Sequence, residues 1–167
     1  MFSQIIDFNS CCKEENKINF LYDIFKNDFI ENRCFLADKI YIDPKSHEKM
    51  DNKEEIFWHI ITKKQRGRRV FDFARASRIK WVKPIIENYF DLEIKIFYYF
   101  EDNRKIRLYL WAYNHDFVVI LQKLGKSSSY LVTSFYIDNQ KKRDKFQKKY
   151  EDYINKTDPK LYGCEWF

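Results

Sequence analysis

From Leu92 onward the side chains alternate with a period of two, and this pattern limits the fold more than any other feature of the chain. Leu92, Ile94, Ile96, Tyr98 and Phe100 alternate with Glu93, Lys95, Phe97 and Tyr99. Successive side chains of a strand point to opposite faces, so such a run marks a strand. Glu101-Asp102-Asn103-Arg104 is a turn sequence, after which Ile106, Leu108, Leu110 and Ala112 alternate with Arg107, Tyr109 and Trp111. Asn114-His115-Asp116 makes a second turn, and the Phe117 to Leu121 run is apolar throughout. Gly125 to Ser128 makes a third turn before the Tyr130 to Ile137 run. Strands joined by turns this short pair antiparallel. The expectation is an α+β fold, with N-terminal helices packed on a four-stranded antiparallel meander and a C-terminal helix. Strict alternation in the last strand puts Thr133 with Leu131, Phe135 and Ile137, and Ser134 with Val132 and Tyr136.

The remaining segments are read around that sheet. Ile18, Leu21, Tyr22, Phe25 and Phe29 recur at helical spacing, which predicts a helix over 18–30 capped by Asn16. Residues 34–42 read as a short strand or an irregular extended segment ending at Asp43-Pro44, and 44–53 as a polar loop. The 54–62 run predicts a strand with Phe57, His59 and Ile61 on one face and Trp58, Ile60 and Thr62 on the other. Gly67 predicts a turn, and 71–89 two helical pieces broken near Pro84. Asp138 or Asn139 caps a last helix over 140–154. Residues 1–53 are read as a segment packed on the core, 54–157 as the α+β unit and 158–167 as a tail, together one compact domain.

Charge singles out one stretch. Between Phe57 and Pro84 the sequence holds Lys63, Lys64, Arg66, Arg68, Arg69, Arg75, Arg78, Lys80 and Lys83 against one acid, Asp72. The whole 167-residue chain carries a net charge of +6, so this stretch holds the entire excess. Such density suits phosphate neutralisation, while the plainer reading is a solvated charged face. His59, just before it, has the side chain best suited to moving a proton near neutral pH.

A phosphodiester can be cut without a metal if the site supplies a base, an acid and donors for the non-bridging oxygens. RNA carries its own nucleophile, the 2′-hydroxyl. An arginine fork can follow the charge that develops on phosphorus. His59, the arginines, and the hydroxyls of Thr133 and Ser134 are candidates for these roles, although threonine in a strand is also simply a good strand residue. Cys11, Cys12, Cys34 and Cys164 form no CxxC pair, and no carboxylate cluster flanks the basic stretch, so neither metal nor cofactor is expected. With no apolar run of about 18 residues and no basic leader, the chain is expected to be cytoplasmic, with reduced thiols and no membrane partner.

Four motifs in order carry a resemblance. FWHIIT (57–62), ARASRIKWVKPIIEN (74–88), YLVTSFYI (130–137) and KRDKFQKKYE (142–151) resemble a phage-related bacterial family akin to the barnase–EndoU–colicin–RelE-like nuclease superfamily. The resemblance covers residues 56 to 153, and it implies a fold of N-terminal helices followed by a four-stranded antiparallel sheet. It implies His59 as an acid/base, Arg75, Arg78 and Trp81 as a basic helix motif, Thr133 in the last strand, and Arg143 and Lys145 leading the last helix. This chain has Ser134 where the family often has alanine. The functional expectation is a metal-independent endoribonuclease, a toxin or phage-conflict effector. His59, Arg75, Arg78, Thr133, Ser134 and Lys145 are its catalytic candidates. Lys63, Lys64, Arg66, Arg68, Arg69, Lys80, Trp81 and Arg143 are its RNA-binding candidates. The alternatives are a non-enzymatic nucleic-acid-binding module and an interaction domain for an acidic partner such as an antitoxin or immunity protein.

Overall fold

A computed structural model describes residues 2–11, 16–101 and 105–167. Most of the turn expected at 101–104, and Cys12, lie outside the described residues. Helix α1 (Phe8–Cys11) is one turn, and α2 (Lys17–Lys26) continues into a π-helical turn, Asn27–Glu31. Strands β1 (Phe35–Leu36) and β2 (Ile40–Asp43) form a hairpin, and β3 (Lys49–Met50) pairs with β4 (Lys53–Glu54). Helix α3 (Glu55–Ile61) leads into the basic hairpin of β5 (Thr62–Gln65) and β6 (Arg68–Phe71). Helix α4 (Phe73–Ala76), a 3₁₀ turn (Ile79–Trp81) and α5 (Val82–Glu87) follow. Then come β7 (Ile94–Phe100), β8 (Ile106–Ala112), β9 (Phe117–Lys123), β10 (Ser128–Tyr136) and α6 (Gln140–Ile154).

The fold is α+β, but its sheet is six-stranded and mixed, in the order β1-β2-β10-β9-β8-β7. The expectation of a four-stranded antiparallel sheet is corrected here. Strands β7 to β10 pair antiparallel in sequence order, and β2 adds to the outer side of β10 in parallel, Tyr41 opposite Ser128 and Asp43 opposite Tyr130. The physical reason lies in β2 itself. Ile40 and Ile42 are buried while Tyr41 and Asp43 are half-exposed, so the strand has one apolar face and needs a sheet to bury it. The outer edge of β10 supplies the unpaired backbone groups.

Each face of the sheet has its own core. On one side Leu21, Phe25 and Phe29, with Phe57, Ile60 and Ile61 of α3 and Val82, Ile85 and Ile86 of α5, pack on Leu108, Leu110, Val119, Leu121 and Leu131. On the other, Phe97, Tyr109, Trp111, Val118 and Ile120 are covered by Phe146 and Tyr150 of α6. The α6 N-terminus starts as expected, with the Asn139 side chain accepting from the Lys142 N–H, whereas Asn16 caps α2 with no side-chain bond.

Two local expectations are overturned, and both matter for the site. The 54–62 run is helical rather than extended. Ile56, Phe57, Ile60 and Ile61 are buried together, a spacing of one, four and five that only a helix puts on one face. A short apolar run fits either period until its neighbours decide. In β10 the register slips between Leu131 and Thr133: Leu131 faces Leu121 but Thr133 faces Ile120. Val132 is the extra residue of this bulge, and it turns Thr133 away from the face that holds Leu131. Ser134, opposite Val119, returns to the Leu131 face and is buried.

Candidate active site

Strand β2 pairs with β10 only as far as Tyr130, and α3 with α4 lies alongside the rest of β10. The seam between them is polar. The Thr133 hydroxyl donates to the His59 main-chain oxygen at 3.0 Å. Arg75 Nη1 donates to the same oxygen (3.3 Å), to the Thr62 carbonyl (3.0 Å) and to Thr133 Oγ1 (3.4 Å). The last carbonyls of a helix have no partner within the helix, and a guanidinium both satisfies them and complements the negative end of the dipole. Asp72 caps α4 through the Arg75 N–H and lies 3.4 Å from Arg75 Nε, an ion pair without hydrogen-bond geometry. Thus Arg75 and Thr133 meet His59, but through its main chain.

The His59 imidazole occupies a separate cleft of about 230 Å³, lined by Lys45, Glu48, Glu55, Ile56, Arg107, Tyr130, Leu131 and Val132. Its side chain is 29% exposed, and Nε2 lies 3.3 Å from Glu55 Oε1, one helical turn earlier. The Val132 main chain also bonds to the ring. The Val132 carbonyl and the Glu55 carboxylate can only accept, so the imidazole faces acceptors on both sides and its neutral form donates to only one of them. Burial, and then the Arg69 guanidinium, push the imidazole below the ordinary histidine value of 6.5; Glu55 and the Val132 carbonyl oppose them. A proton gained there is met by the Glu55 carboxylate.

The other sequence candidates are scattered. Lys63, Lys64, Arg66 and Arg68 are exposed on the β5–β6 hairpin, and Arg69 Nη1 donates to Thr62 Oγ1 at 3.2 Å. Arg78 is held away from His59: it donates to the Ala74 carbonyl at 2.8 Å and lies 4.3 Å from the Tyr136 ring centre. Trp81 is buried, with its indole N–H on the Ser3 carbonyl, so it offers no face to a base, which corrects its place among the RNA-binding candidates. Ser134 is buried away from Thr133 with no partner for its hydroxyl, which removes it from the site. Lys80 is exposed beside Asp23 and Asp28 of the α2 region, Arg143 pairs with Asp116, and Lys145 is exposed on α6. Sequence reasoning missed Glu55, Lys45, Arg107 and Tyr130. Glu55 is four residues before His59 and would have been legible had the run been read as a helix; the other three carry no local signal.

Comparison of the chain with protein-family models, with curated proteins and with solved structures returns no match. Among the described residues no helix is long and apolar enough to cross a membrane, and no three His, Cys, Asp or Glu side chains group as ligands for a metal ion.

Proposed function

We propose that this chain is a metal-independent endoribonuclease that cleaves single-stranded RNA through the 2′-hydroxyl. The observation that carries the reading is the His59 imidazole, 3.3 Å from Glu55, in a cleft that Lys45 and Arg107 line, on the helix that leads into the basic hairpin. The sequence resemblance to the barnase–EndoU–colicin–RelE-like superfamily supports the same reading. His59 takes the proton of the 2′-hydroxyl while that oxygen bonds to phosphorus. The bond from phosphorus to the 5′-oxygen breaks, the leaving oxygen takes a proton from water, and the product ends in a cyclic 2′,3′-phosphate. The imidazolium formed pairs with Glu55, and cations at the cleft offset the charge on the phosphoryl oxygens.

The test is incubation of the purified protein with total RNA in EDTA, beside the same RNA supplied with magnesium and a 2′-O-methyl copy of a cleaved site. Cleavage in EDTA, with the methylated site intact, is the expected result. Cleavage only with magnesium, or equal cleavage of the methylated site, would sink the mechanism.

The pH dependence follows from the direction of the His59 shift. Charged and titratable groups face it from every side: Glu55 on its own helix, Lys45 and Glu48 from the loop after β2, Arg107 from β8 and Arg69 from β6. A base works when deprotonated, so the rate should fall as pH drops, with an acid-limb midpoint below 6.5 in kcat/KM. Arg69→Gln removes one of the two causes of the shift and should move the midpoint up. A midpoint that ignores Arg69 would assign the limb to another group.

A nucleic-acid-binding module is the second reading, favoured by the exposed lysines and arginines of the β5–β6 hairpin, which stand apart from the cleft chemistry. It predicts retention of RNA with no cleavage. An acidic antitoxin or immunity protein would find the same hairpin complementary.

A further inference from the structure

Arg107 was marked by no sequence pattern, yet its position across the sheet is specific. On β8 it faces Tyr99 of β7 and Gln122 of β9, and Gln122 in turn faces Tyr130 of β10. Directly paired residues share a face, so the four form one row across the sheet. The row runs into the His59 cleft, whose lining includes both Arg107 and Tyr130. At the strand spacing of about 4.8 Å it spans roughly 14 Å.

The charges around the cleft are mostly answered. Lys45 Nζ is 2.6 Å from Glu48 in the cleft itself, and beyond it Lys63 and Arg75 meet Asp72. Arg107 and Arg69 are the exceptions, and of the two only Arg107 lines the cleft. Among the described residues the one hydrogen bond of the Arg107 side chain is from Nε to the Gln122 side-chain oxygen, at 3.4 Å, and no carboxylate pairs with it. A neutral amide at that distance leaves the terminal nitrogens of the guanidinium uncommitted. The plain reading is a solvated strand arginine. Against it stand the partial burial of the side chain and its place in the wall of the cleft that holds the imidazole. A cation without a counter-charge beside a proton acceptor fits an anionic ligand that brings the missing charge.

We propose that Arg107 binds a backbone phosphate of single-stranded RNA in the His59 cleft, with its planar fork on two non-bridging oxygens. The inference rests on the ribonuclease reading for its choice of ligand. Lys45 is the secondary cation, because Glu48 already neutralises it. The row toward Tyr99 gives the strand a path across the sheet, and its far end carries Lys149, whose ammonium lies 3.9 Å from the Tyr99 ring centre.

The experiment uses the full chain carrying His59→Ala, so that no cleavage confuses binding. Its affinity for a fluorescent 2′-O-methyl RNA ten-mer is measured by anisotropy over a range of salt, with an RNA duplex of equal length beside it. Adding Arg107→Ala should weaken single-strand binding about tenfold and lower the salt slope by ~0.7, the share of one phosphate on a single strand. Arg107→Lys should keep the slope and recover only part of the affinity, and it guards against a folding defect in the alanine variant. An unchanged affinity and slope in Arg107→Ala would overturn the proposal even if the wild-type protein cuts RNA. Equal losses on the duplex would overturn the single-strand assignment. Loss of single-strand binding in a protein whose wild type cuts nothing would uphold the phosphate site while removing the nuclease reading.

Discussion

Replacing His59 by alanine is expected to slow RNA cleavage by about 10²–10⁴-fold, the usual contribution of a positioned acid/base group, while RNA affinity stays within a few-fold. The split is the informative part. A binding module reads RNA through lysines and arginines, so it loses neither function when an imidazole is removed. His59 also holds the Val132 carbonyl, so an alanine variant loses a structural bond as well. His59→Gln separates the two roles. Its amide N–H can donate to that carbonyl, but the side chain cannot accept a proton at neutral pH. Single-turnover cleavage and thermal melting are measured on both variants. The nuclease reading requires both to be inactive and the glutamine variant to melt near the wild type. A glutamine variant that cuts RNA at a wild-type rate would make His59 a structural histidine and put the binding module first.

Arg75→Ala is expected to cost about 2–4 kcal/mol of folding stability, since hydrogen bonds to charged donors are worth ~1.5–3 kcal/mol and at least two here go to helix-end carbonyls. The side chain is only 20% exposed, so water replaces those bonds poorly. The change also strips Asp72 of its closest cation. For a chain of this size the loss lowers Tm by roughly 10 °C. Arg75→Lys should recover little, because an ammonium cannot reach the His59 carbonyl, the Thr62 carbonyl and the Thr133 hydroxyl in one plane. Differential scanning calorimetry reads the effect directly. A variant with wild-type Tm and a hundredfold lower rate would mean that Arg75 serves the reacting phosphate and that its bonds to the α3 end are incidental.

The sheet strands from 94 to 136 were legible because three of them alternate, the fourth, 117–121, is an unbroken apolar run between turns, and each partner follows a few residues later. The addition of β2 was not. Ile40 and Ile42 show an apolar face, but a parallel partner near the other end of the chain leaves no mark in either segment. The bulge at Val132 was equally hidden, and it moved Thr133 to the opposite face: strict alternation would have left it beside Leu131. His59 and Arg75 were visible as a histidine next to a dense run of arginines. Their relation was not, since the misread period of 54–62 placed the imidazole on a strand face and hid Glu55 one helical turn away. Arg107 sits in a strand whose alternation explains it completely, so nothing in sequence distinguishes it from a solvated residue. Trp81 shows the converse error: an indole between basic residues looks like a stacking platform, yet its burial and its bond to Ser3 make it part of the core.

The contact between Thr133 and His59 joins positions 74 apart, and the parallel pairing of β2 with β10 is longer still. Loop closure makes such contacts slow, and they are rewarded only once the local hairpins are in place. The cleft draws Lys45, His59, Arg107 and Tyr130 from four separate stretches, and β10 supplies the last of them. During synthesis, then, the ribosome carries a growing chain that has its basic hairpin early and its cleft late. A nascent chain shorter than about residue 136 holds the histidine but has no strand to lock it against. The cleft around His59 is therefore assembled only after the chain has been made through β10.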